Sequence, residues 1–180
     1  LLLSIEVKTI HPDTGAELPV NSTGVLCFRG PNIFTGYLEE PVLNKSVIDE
    51  KGWLITGDLG RLDNDGFLFI EGRLSRFSKI GGEMVPHEKI EEMVGEVLEF
   101  DLVEDMKCAV VGVEDANKGE RLILFVTELV DFERLRKNLL SKGISNLWIP
   151  KEIKVIEEIP SLASGKLNLT KLLEIAEKST

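Results

Sequence analysis

Apolar and polar positions change their rhythm about two-fifths of the way along this chain. Ser4–Ile10 (SIEVKTI) alternates polar and apolar residues, and VLCFRG at 25–30 is a short apolar run, so both read as strands. PDTG (12–15) and NSTG (21–24) are turn signals. RLDNDGFLFIEGR (61–73) reads as a hairpin turning at Asp65-Gly66, where glycine tolerates positive φ. From there the period lengthens. In HEKIEEMVGEVLEF, Ile90, Met93, Val94, Val97 and Leu98 fall on one face of a helix. CAVVGV (108–113) and RLILFVTELV (121–130) follow as two apolar strands. Asp131 is a suitable N-cap for a helix through Leu140, with Gly143 stopping it. KEIKVIEEIP is a strand ending at a proline, and Thr170 can cap a last helix, TKLLEIAEK. The pattern predicts an α+β protein: a β-rich segment, a boundary near residues 72–76, then strand–helix–strand–strand–helix–strand–helix.

Composition narrows the class. The chain has 180 residues, 43% hydrophobic and 29% charged, which suits a soluble chain with a real core. The formal charge of −10 argues against bulk nucleic-acid binding. No apolar run approaches the roughly 20 residues of a membrane-spanning helix. Cys27 and Cys108 sit among apolar neighbours and read as buried, inert thiols in a reducing compartment. His11 and His87 lack metal-ligand spacing, so no protein metal site is expected. The N-terminus shows no signal peptide, and starting at Leu1 inside a strand suggests a fragment of something longer.

Three constellations could carry chemistry. Thr56-Gly57-Asp58 reads as a tight turn whose carboxylate either caps its own backbone or accepts hydrogen bonds from the vicinal hydroxyls of a ribose. Arg73, Arg76 and Lys79, then Gly81-Gly82, then a helix start, could hold phosphate through charge and free N–H groups, or could form a solvated β-edge. Ser164-Gly165-Lys166 is a polar loop offering one ammonium. It is not a P-loop, because Pro160 and Leu167 stand where glycine and a hydroxyl are needed. Taken alone it reads as a surface turn.

Their order and spacing resemble the C-terminal third of the adenylate-forming enzymes, the superfamily of acyl-CoA synthetases, peptide-synthetase adenylation domains and luciferases. FTGYLEEP, TGD, GR, a glycine loop before an IE-containing helix and a late glycine-lysine loop occur here in the superfamily's order. Within it, RFSKIGGEMVPHEKIEE, KGERLILFVTE and SGKLNLTKL resemble the bacterial bifunctional 2-acylglycerophosphoethanolamine acyltransferase/acyl-[acyl-carrier-protein] synthetases.

The resemblance implies residues 1–74 as the end of a large AMP-binding domain and 75–180 as a small mobile lid domain. It implies Asp58 at the ribose of ATP, which arrives with Mg2+, Arg73 at the same ribose or its phosphate, and Lys166 between the reacting carboxylate and the α-phosphate. A cation between two anions is worth about 4 kcal/mol at 4 Å and an effective dielectric of 20. It implies a hinge at Ser75, where the superfamily usually carries Asp or Lys, and a pantetheine tunnel at Lys79, Gly81 and Gly82. The acceptor would be a phosphopantetheine thiol. Arg76, Lys89, Lys118 and Arg121 would dock acyl carrier protein, with fatty acid and lysophospholipid as partners of the full protein at the cytoplasmic side of the bacterial inner membrane. The superfamily's phosphate loop is missing, so the chain alone is expected to be inactive. An acyl-CoA synthetase fragment and a non-catalytic carrier-binding module are the alternatives.

Overall fold

The computed structural model describes residues 4–100 and 106–178. The chain divides into two compact units, Leu1–Ser75 and Arg76–Thr180.

The first unit is a four-stranded antiparallel sheet in the order β1 (Glu6–Ile10), β2 (Gly24–Arg29), β3 (Leu54–Leu62), β4 (Leu68–Arg73). Val25, Leu26, Cys27, Trp53 and Leu59 form its buried centre. The Lys8 ammonium and the Arg29 guanidinium lie 4.4 and 4.7 Å from the Trp53 ring centre, so aliphatic stems and charge cover the indole. Asp63 and Gly66 shape the β3–β4 turn, with the Asp63 carboxylate accepting from the Asp65 and Phe67 N–H groups. A helix that the strand-like reading of this region missed, α1 (Pro41–Val47), begins on a proline and buries none of its residues. With no buried stripe, it left no helical period to read.

The second unit is a sheet in the order β6–β5–β8–β7, with β9 also paired to β8. Its strands are β5 (Phe77–Ile80), β6 (Glu83–Pro86), β7 (Cys108–Asp115), β8 (Gly119–Val126) and β9 (Glu152–Val155). The helices are α2 (His87–Leu98), α3 (Phe132–Ser141) and α4 (Leu169–Glu177). β7 and β8 bury both faces. Val110, Leu122, Leu124 and Val126 pack with α2 and α3, and Ala109, Val111, Ile123 and Phe125 pack with α4. This explains their continuous apolar runs, since a strand covered on both sides has no polar face. The α2 stripe read from sequence packs as expected, with Ile90 and Val94 fully buried and Met93, Val97 and Leu98 beside them.

Two local expectations are corrected. Gly81-Gly82 does not lead straight into a helix. Ile80 pairs with Glu83, so the glycines are a two-residue hairpin turn, with φ of 59° and 89°, and β6 precedes α2. Both central residues of such a turn need positive φ. The last helix is capped by Asn168, whose side chain accepts from the Lys171 N–H, rather than by Thr170. Asp131 caps α3 as read, accepting from the Arg134 N–H.

Candidate functional site

In the first unit, Thr56-Gly57-Asp58 is not a free-standing tight turn but a bulge inside β3. Val25 pairs with Leu59 and Cys27 with Ile55, so three residues oppose Leu26 alone. Gly57 takes φ of 74°, a conformation that suits glycine, and the Thr56 hydroxyl donates to the Leu26 carbonyl at 2.9 Å. The Asp58 N–H donates back to the same hydroxyl at 3.0 Å. The extra residues re-aim Asp58 directly across from Arg73 on β4, with Arg73 Nε 2.9 Å from Asp58 Oδ1. Residues fifteen positions apart thus make one site edge. The Arg73 side chain is 63% exposed and that of Asp58 33%, so the pair presents an acceptor and a guanidinium to solvent together. Vicinal hydroxyls could donate to the carboxylate, and the guanidinium suits a phosphate.

In the second unit, Ser161 bridges Leu167 around a turn in which the Leu162 N–H donates to the Lys166 carbonyl at 2.7 Å and the Gly165 N–H to the Leu162 carbonyl at 2.8 Å. Gly165 has φ of 77°. The small hairpin holds its backbone firmly while the Lys166 side chain is exposed, with no ion-pair partner among the described residues. A cleft of about 450 Å³ adjoins this loop, lined by Gly165, Ser161, Ile159, Thr127 and Lys107.

Lys79 is exposed on β5 and pairs across the hairpin with Met84. Its backbone N–H donates to the Glu120 carboxylate. Leu147 lies against Gly81, and the Trp148 Nε1–H donates to Glu83 at 3.1 Å. Ser75 is exposed in a single 3-10 turn, Leu74–Arg76, at the unit boundary.

Three of the four residues assigned to carrier docking are paired with glutamates. Arg76 is only 12% exposed and holds Glu91 at 2.5 Å. Lys89 pairs with Glu92 at 2.9 Å and Arg121 with Glu152 at 3.1 Å. Lys118 is exposed in a turn whose shape is set by its backbone N–H donating to the Asp115 carboxylate, and its ammonium has no ion-pair partner among the described residues.

Several polar groups escaped the sequence reading. The Glu91 carboxylate accepts from Arg76 and from the Val110 N–H at 2.6 Å. His87 is buried, with Nε2 2.8 Å from the Ser78 hydroxyl and Nδ1 without a partner. Burial, helped by the Arg76 charge, pushes its pKa down to about 3. Burial pushes the Cys27 and Cys108 thiols up to about 11 and about 12, which keeps both protonated and inert. In sequence, Glu91 was one acid among four in α2, and His87 a lone histidine. Only a view of neighbouring strands singles them out.

Residues 89–166 match the AMP-binding enzyme C-terminal domain. The chain is 35% identical over 167 residues to 4-coumarate:CoA ligase 1 of Petunia hybrida, covering 90% of this chain and 29% of that protein. It is 37% identical over 169 residues to the 2-succinylbenzoate–CoA ligase of Listeria innocua, covering 93% of this chain and 34% of that one. The ATP-bound crystal structure of MatB from Rhodopseudomonas palustris superposes with a TM-score of 0.73 and 27% identity, over 97% of this chain and 34% of that one. The chain therefore spans about a third of the length of the proteins it matches. It carries the AMP-binding C-terminal domain of the adenylate-forming superfamily, the group that includes the acyl-CoA ligases.

Proposed function

We propose that this chain is the C-terminal part of an ATP-dependent carboxylate–CoA ligase. Asp58 and Arg73 would hold the ribose end of ATP, and Lys166 would approach the carboxylate and the α-phosphate as the acyl-adenylate forms. The observation that carries the reading is similarity to CoA ligases along nine-tenths of the chain. It is supported by the convergence of Asp58 with Arg73 and by an exposed Lys166, without an ion-pair partner among the described residues, on a hydrogen-bonded turn. A cation placed there offsets repulsion between two anions and stabilises the charge that develops as they react.

The thiol acceptor follows the same logic. An acyl carrier protein is acidic and needs a locally basic dock. Arg76, Lys89 and Arg121 are each matched by a glutamate, which leaves Lys118 as the one proposed docking residue without an ion-pair partner among the described residues. The coenzyme A reading rests on similarity to proteins named as CoA ligases. The carrier-protein reading keeps the support of the Arg-Phe-x-Lys-Ile-x-Gly-Glu-Met-Val string, and a lysophospholipid acceptor and membrane association belong with it. No helix among the described residues is long and apolar enough to cross a membrane.

The test is made in the full-length parent. Lys166→Ala should lower carboxylate-dependent pyrophosphate exchange by roughly 10²–10³, the scale for losing one transition-state contact. Thioester formation from supplied acyl-adenylate should survive. Normal exchange in the variant removes Lys166 from the site. Transfer to carrier protein in preference to coenzyme A would restore the other acceptor.

A further inference from the structure

The Asp58 carboxylate is aimed by a stretch of β3 that has no regular ladder. Val25 pairs with Leu59 and Cys27 with Ile55, so Thr56, Gly57 and Asp58 share the space opposite Leu26. A strand paired one to one sends successive side chains to opposite faces. Extra residues break that alternation and disturb the backbone hydrogen bonds across the pair. Both consequences meet at Thr56. Its half-buried hydroxyl donates to the Leu26 carbonyl at 2.9 Å and accepts from the Asp58 N–H at 3.0 Å. A hydroxyl is donor and acceptor at once, so one oxygen ties the neighbouring strand to the backbone that carries Asp58.

The other residues around the bulge supply less restraint. Gly57 holds φ of 74°, and a Cβ there would meet Arg73 Nη1 at 4.0 Å, an ordinary contact. The backbone angle, not crowding, therefore calls for glycine at this point. On the β4 side Arg73 Nε holds Asp58 Oδ1 at 2.9 Å, but the arginine side chain is 63% exposed. A solvated ion pair of that kind fixes geometry weakly by itself.

We propose that Thr56 is a positioning residue for nucleotide recognition, whose hydroxyl shapes the bulge so that the Asp58 carboxylate meets a pair of vicinal hydroxyls. It acts through Asp58 and makes no contact with substrate. The proposal rests on the ribose role given to Asp58 above. Loss of the hydroxyl should therefore blunt the distinction between one sugar and another, which a general loss of stability would not do.

The test is carboxylate-dependent pyrophosphate exchange in the full-length parent, with ATP and with 2′-deoxyATP. The unmodified parent should favour ATP in kcat/KM by at least about tenfold, the scale of one hydrogen bond to a charged group. Thr56→Val keeps the shape and removes the hydroxyl. It should raise the KM for ATP about tenfold and that for 2′-deoxyATP by less, so that the preference shrinks to about threefold or below. Thr56→Ser should restore most of it. A variant that merely loses folded protein lowers both rates together and leaves the preference intact. Full preference in Thr56→Val overturns the role of Thr56 while the Asp58 assignment stands. Absence of any preference in the unmodified parent overturns both. If Thr56→Val does not fold, hydrogen exchange in the unmodified 180-residue chain decides. The Asp58 amide should exchange at least about tenfold more slowly than that of Asn64, exposed in the β3–β4 turn, and equal rates overturn the proposal.

Discussion

His87 opens α2 yet is 2% exposed, with one ring nitrogen on Ser78 and the other without a partner. A second proton would be buried without an acceptor and beside Arg76, which is why the pKa falls to about 3. The sign of the linkage follows. Between its ordinary value near 6.5 and about 3, the unfolded chain binds a proton at His87 that the folded chain refuses. Stability is therefore full above pH 6.5 and is lost as pH falls, by up to about 1.4 kcal/mol per pH unit across that window. His87→Gln keeps a polar partner for Ser78 and cannot titrate. Urea midpoints at pH 7, 6, 5 and 4 should show a shallower acid slope for the variant. Glu6 and Glu96, held below the usual carboxylate range chiefly by hydrogen bonds to Arg29 and Lys142, titrate alike in both proteins and cancel in the comparison. Identical slopes would mean that His87 does not carry the effect.

Elements were legible where burial imposed a period. The α2 stripe, the doubly buried β7 and β8, and the Asp131 cap of α3 all follow from spacing along the chain. Where geometry depends on a partner strand, spacing was silent. The Thr56–Asp58 bulge is defined by what lies opposite it on β2, and the Gly81-Gly82 turn by the β6 strand it returns into. The α4 cap shows the same limit on a smaller scale, because Thr170 and Asn168 are both acceptable caps and only the chain's entry direction selects one. Asn168→Ala should cost about 1 kcal/mol, the usual loss of a cap, while Thr170→Ala should cost well under half of that. At the hairpin, replacing Gly81 and Gly82 together by alanine should cost roughly 1–2 kcal/mol per residue, because both hold positive φ. Asn-Gly at the same two positions should be tolerated. Thermal melts of the four variants rank these costs, and equal losses from Asn168→Ala and Thr170→Ala would refute the cap assignment.

For the whole molecule, the change of rhythm near residue 72 marked where one unit gives way to the next, while the candidate site residues stayed scattered until strand pairing brought Asp58 to Arg73. A two-step ligase needs its lid to serve adenylation and then thioester formation, and the link is where such a motion would be absorbed. Leu74–Arg76 is a 3-10 turn, and Ser75 is its middle residue. Proline at Ser75 would push Leu74 out of the helical region and break the turn rather than hold it. Proline at Leu74 suits the turn's first position, follows an extended Arg73 at the end of β4, and fixes φ near −65°. In the full-length parent, Leu74→Pro should therefore leave the fold and ATP binding near normal while slowing one half-reaction at least about tenfold more than the other. Pyrophosphate exchange reads the first step, and transfer from supplied acyl-adenylate to coenzyme A reads the second. Ser75→Gly, which loosens the same link, should slow both modestly and nearly equally, because each productive orientation is less populated. If Leu74→Pro slows both steps by the same factor, or neither, the turning point does not lie at Leu74 and the link is a passive connection.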